Sequence, residues 1–174
     1  MKYILSPNDN EPGIRYGRYL DYLETIKGSL PAHVAEFASS KQFFTLDSPH
    51  SLHDAWLNSV EVRETRRSEQ PREPTVTLTL KLLGQYHDRV IVLEYENVFQ
   101  YRMEGTREIK DGPPNFQYGD TFHGDVITHE VRLGNEGHII HEIAFATESA
   151  LLVECLNFTH REEIFGEGKS KHGL

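Results

Sequence analysis

At 174 residues, 37% hydrophobic and 26% charged, the chain is long enough to bury one core without disulfides or metals, and too apolar for global disorder. Its formal net charge is -9, from 27 acidic and 18 basic residues. That balance speaks against a nucleic-acid binder, whose affinity comes from cationic contacts to phosphate, and suits either a basic protein partner or plain solubility.

The N-terminus offers Lys2 and only Tyr3, Ile4 and Leu5 before Ser6 and Pro7, too short a run for a secretory signal core. No apolar run approaches the roughly 20 residues that span a bilayer. The expectation is a cytoplasmic protein with no membrane contact. The lone cysteine, Cys155, fits a reducing compartment and reads as an inert core residue.

Residues 1–50 read as helical. After Pro12 and Gly13, the apolar residues Tyr16, Tyr19, Leu20, Leu23 and Ile26 recur at spacings of three and four, which predicts a helix with one buried face. Gly28 is a stop signal. A shorter helix is expected after Pro31, with Val34 and Phe37 turned inward.

From residue 51 the period changes to two. Strands are expected over 52–64, 74–83, 89–102, 122–133, 138–147 and 149–160, the clearest being the alternation of Val76, Leu78, Leu80 and Leu82 with threonines and Lys81. Strands this close in sequence pair as a meander. The fold class is therefore α+β, with N-terminal helices on a curved, six-stranded, mainly antiparallel sheet; a closed or half-open barrel is the alternative. Residues 1–165 form one domain, and 166–174 read as a flexible tail. Residues 65–73 read as a charged hairpin loop in which Arg66, Arg67 and Arg72 meet solvent or an anion. The glycine- and proline-bearing stretch 104–121 reads as a functional or mobile loop.

Two turns set a register. Gly134 to Gly137 suits a type I turn with a left-handed last glycine, placing Leu133 opposite Ile139, Val131 opposite His141 and His129 opposite Ile143. A two-residue turn at Thr147-Glu148 places Ile143 opposite Leu152, His141 opposite Glu154 and Ile139 opposite Leu156. His129, His141 and Glu154 then share a mostly apolar face. Two imidazoles and a carboxylate at that spacing suit a divalent metal or a general base, or a pair that satisfies itself inside the sheet. A second polar cluster, Asp120, His123 and Asp125, reads as turn chemistry. No nucleotide, phosphate or nucleophile-elbow motif is present, and no cofactor or resident metal is expected.

The segment Leu52-His53-Asp54-Ala55, followed by Trp56-Leu57 and the alternating Ser59 to Arg63, carries one resemblance. With the Leu run of the next strand and the step at Asn97-Val98, residues 50–102 resemble a loose group of small bacterial β-rich domains of unknown function. Some of that group resemble the immunity proteins of toxin systems. The resemblance implies a single-domain accessory protein that binds another protein, with no catalytic residues to transfer. The rival expectation is an enzyme or small-ligand cup with a His/Glu site on the concave face of the sheet. A purely structural domain is the third.

Overall fold

The computed structural model describes residues 1–4, 12–66, 74–105 and 122–165. Arg67, Arg72 and Asp120, the loop expected at 104–121 beyond residue 105, and the tail 166–174 lie outside the described residues. Two helices come first, α1 (Pro12–Ile26) and α2 (Ala32–Ser39). Proline opens α1, where its missing N–H costs nothing. The predicted stripe is the buried face: Tyr19, Leu23 and Ile26 are in the core, with Tyr16 and Leu20 packed against it. In α2, Val34 and Phe37 turn inward as their spacing requires.

Six strands follow: β1 (Trp56–Thr65), β2 (Thr75–Leu83), β3 (Arg89–Glu104), β4 (Val126–Leu133), β5 (Ile139–Phe145) and β6 (Ala150–Ile164). They form one antiparallel sheet in the order β1-β2-β3-β6-β5-β4. The meander is thus two three-stranded meanders, closed face to face along β3 and β6. β3 finds its second partner not in β4 but in β6, from Glu104 opposite Ala150 to Arg89 opposite Ile164. The sheet curls without closing into a barrel. Its edge strands touch at one corner only, where Trp56 bridges Asp125.

The curl is built into β3 and β6, which bend together. Asn97 takes a left-handed φ of 50°, a conformation asparagine tolerates better than most residues, and the register slips between Val98 and Gln100. Opposite it, β6 changes face: Leu151, Val153 and Cys155 are buried in its first half, Phe158 in its second. Both meanders can therefore turn an apolar face toward the same helices.

The two edges of the sheet are treated differently. Edge strands expose unpaired N–H and C=O groups and are normally covered. On β4 the covering is thorough. The Asp54 N–H donates to the Val126 carbonyl and the Val126 N–H to the Ala55 carbonyl, each at 2.9 Å. Further along, the Tyr19 hydroxyl accepts from the Val131 N–H at 2.7 Å, and the Tyr22 hydroxyl from the Leu133 N–H at 2.9 Å. The segment Leu52–Ala55, expected inside the first strand, instead forms this corner, with Asp54 at φ 59° and Leu52 and Ala55 fully buried. The opposite edge, β1, has no such cover among the described residues, and its residues from Glu61 to Thr65 are exposed.

Candidate functional site

The Gly134–Gly137 turn holds the predicted register: Leu133 faces Ile139, Val131 faces His141 and His129 faces Ile143. The next turn does not. Ala144 pairs with Ala150, His141 with Val153, and Glu154 with Ile140. The loop holds three residues, Ala146 to Glu148, with Glu148 in the left-handed conformation at φ 59° and the Phe145 N–H donating to the Ser149 carbonyl at 2.9 Å. One residue more in the turn shifts the register by one, and a shift of one moves every side chain to the other face.

Glu154 is therefore on the outer face, 3.0 Å from His138 Nδ1. It does not join His141 and His129. We expect Glu154→Ala to cost about 1 kcal/mol in urea denaturation, as for a part-buried pair on the outer face of the sheet. A loss of several kcal/mol would place the carboxylate back in the core.

The two histidines do meet on the inner face. His141 Nε2 lies 3.2 Å from His129 Nδ1, and His141 Nδ1 lies 2.8 Å from the Tyr95 hydroxyl. Both rings are 1% exposed. Phe158 stacks on His141, and Phe44 stacks on His129 with centroids 4.3 Å apart. Burial holds the His129 imidazole down at about 3, opposed in part by the Phe43 backbone, and drives His141 well below the ordinary histidine value. Both rings are neutral at pH 7. A single direction of donation satisfies the row: Tyr95 O–H to His141 Nδ1, then His141 Nε2–H to His129 Nδ1. The row is closed to solvent by the helices and ends at His129 Nε2, which is buried without a hydrogen-bond partner among the described residues.

Cys155 matches its expected role, since burial pushes its thiol up to about 12, far from a reactive thiolate. In the second polar cluster, Asp125 accepts the Trp56 indole N–H at 2.5 Å and pins the β1–β4 corner. His123 packs against Phe122 and Phe145, and burial lowers its pKa.

A second constellation lies where β6 runs past the end of β5. Glu162 and His160 project inward from β6 in step with Phe158. Glu162 Oε1 accepts from His50 Nδ1 at 2.8 Å, and Oε2 accepts from Arg89 Nη1 at 2.7 Å. Asp88 holds the other side of Arg89 through Nε and Nη2. These partners lower the Glu162 pKa against its own burial, and burial lowers that of His160. Together they form one wall of a cleft of about 420 Å3 between α2 and β6. Sequence reasoning missed the group because it ended the last strand at residue 160, two short of Glu162. The alternation of Phe158, His160 and Glu162 was the available signal. Among the described residues no three His, Cys, Asp or Glu side chains are arranged to hold a metal ion.

No family model matches the chain, and no curated protein matches it significantly. No helix of the described residues is long and apolar enough to cross a membrane.

Proposed function

We propose that this chain is a non-enzymatic, cytoplasmic protein-binding domain of the immunity type, which takes a strand of a basic partner along β1. The observation that carries the reading is the contrast between the two sheet edges. The fold seals β4 with backbone, indole and tyrosine hydroxyl contacts, yet among the described residues it leaves β1 beyond the Trp56 bridge to Asp125 without a strand on its outer side. An open edge is a ready template for a partner strand: main-chain hydrogen bonds supply affinity and alternate side chains supply specificity.

Charge gives the partner its sign. The whole chain carries -9, while on the edge strand itself Glu61 and Glu64 are offset by Arg63 and Arg66, which pair with them. The resemblance of residues 50–102 to a loose group of small bacterial β-rich domains, some of which resemble immunity proteins, takes in β1 and points the same way. The enzyme alternative built on His141, Glu154 and His129 has lost its carboxylate to the far face, and its imidazoles are shut inside the core.

A photo-crosslinking residue at Ser59, used in the native cell, tests this reading. The expected adduct is to a basic protein. On reconstitution that protein slows amide exchange across residues 57–65, with affinity that falls as salt rises. A partner whose binding leaves those amides unprotected, or binding indifferent to salt, overturns the proposal.

A further inference from the structure

The cleft between α2 and the distal half of β6 has features that neither the core nor the β1 edge requires. Its floor is aromatic: Phe37, Phe43 and Phe158 are each at most 6% exposed. Its wall is polar and held in place. Glu162 is pinned by Arg89, Arg89 by Asp88, and His50 by Glu162, in one continuous row of hydrogen bonds. Nearly buried ion pairs seldom repay their desolvation in stability, so such a row is weak evidence for a stabilising role. Its geometric effect is clear. The tautomer with Nδ1–H donating to Glu162 leaves Nε2 of His50 as an acceptor, on a side chain 43% exposed.

The remaining polar groups agree on the sign of a ligand. Two carboxylates line the cleft, Glu36 and Glu162, and among the described residues no lysine or arginine does. The Glu162 charge is already met by Arg89. The Glu36 carboxylate, on the exposed face of α2, has no hydrogen-bond or ion-pair partner among the described residues. An anion would find neutral donors at Gln42 and Thr159 but no cationic side chain among the described residues, and would face the Glu36 carboxylate. A cation with N–H donors would meet Glu36, His50 Nε2 and aromatic faces, the surroundings that favour ammonium and guanidinium groups.

We propose that this cleft binds an ammonium-, amidinium- or guanidinium-bearing group on an apolar stem, with Glu36 and His50 as its acceptors and the three phenylalanines as its floor. Two sources supply that chemistry: a free small cation, or a lysine or arginine side chain of another protein. The inference stands apart from the β1 reading, since the cleft lies on the helix side of the sheet.

The test is a heteronuclear NMR titration of the full chain with four probes: benzamidine, N-acetyl-arginine amide, benzyl alcohol and benzoate. Benzamidine is expected to give saturable shifts at Gln42, His50, Thr159 and His160. Benzyl alcohol is expected to bind about tenfold more weakly, and benzoate more weakly still. Tighter binding of N-acetyl-arginine amide than of benzamidine identifies a protein side chain as the source, and the reverse order a free cation. Glu36→Gln, a conservative change on an exposed helix position, is expected to weaken benzamidine about fivefold while leaving the unfolding midpoint unchanged. The proposal is overturned if no cation gives saturable shifts at the cleft, if benzoate binds as well as benzamidine, or if Glu36→Gln leaves the affinity intact.

Discussion

Acidification from pH 7 to pH 5 is expected to strip this protein of about 2 kcal/mol of folding stability through His129, with His141 adding a loss of the same sign. The sign follows from where the protons go. In the unfolded chain both rings titrate near the ordinary value of 6.5; in the fold His129 is held at about 3 and His141 well below 6.5, in each case chiefly by burial. Between those limits the unfolded chain binds more protons than the folded one. The stability is therefore complete above about pH 6.5 and is lost as the pH falls toward 3. The charged form of His129 gains partial relief from the Phe43 backbone, while His160 opposes it and His129 opposes charge on His141. Urea denaturation across pH 5 to 7 reads the effect directly. His129→Phe, which suits a ring already stacked on Phe44, should remove about one proton from the uptake on unfolding. A stability flat across this range, or a slope unchanged in the variant, would show that the rings protonate inside the fold.

The second large effect is expected at Glu130. This carboxylate is wholly buried on the outer face of β4, under the first residues of the chain. It accepts the backbone N–H groups of Lys2, Tyr3 and Ile4 at 2.6, 3.0 and 3.0 Å. Arg132 Nε lies 2.9 Å from it. Glu130→Ala removes the acceptor for three donors and a partner of a mostly buried guanidinium at once. We expect a loss of about 3 kcal/mol, in the range for breaking a buried, hydrogen-bonded charge. Exchange of the Lys2, Tyr3 and Ile4 amides should become fast in the same variant. Glu130→Gln, which keeps one acceptor oxygen, should fall between. A loss below about 0.5 kcal/mol, the scale of an ordinary surface substitution, would mean that the segment is not held by this side chain.

What could be read from the sequence divides sharply at β6. The helix stripe, the change of period near residue 50 and the Gly134–Gly137 register were legible because each depends on local chemistry: a 3.6-residue repeat, a two-residue repeat, a glycine that accepts positive φ. The face of β6 was not. Taken from Thr147-Glu148, the inward set is Leu152, Glu154 and Leu156; continued outward it includes Phe158 and His160, which do face inward. The proximal half was thus assigned to the face opposite its true one, and the distal half was given no face. The strand changes face between Cys155 and Phe158, in step with the bend at Asn97 on its neighbour. That bend answers to the packing of two half-sheets around common helices, which no window of one strand contains. The turn itself misled for a related reason. Ala146-Thr147-Glu148 has no glycine, so nothing marked Glu148 as the residue that takes the left-handed position. The tyrosines of α1 read correctly as a core face, but their hydroxyls' task of sealing β4 could not be seen, because it joins residues 112 positions apart.

That separation has a consequence for how the chain is made. Translation delivers residues at roughly 5 to 20 per second, so α1 exists for several seconds or more before β4 leaves the ribosome. Through that interval the helix has its apolar stripe and its tyrosine hydroxyls ready, with no edge to bind. β4 in turn emerges with its outer hydrogen-bonding groups bare until α1 swings back over them. On a crowded polysome the nearest bare β4 can belong to the neighbouring nascent chain. The same hydroxyls then close the wrong sheet edge, and two chains that exchange their first helices leave as a swapped dimer.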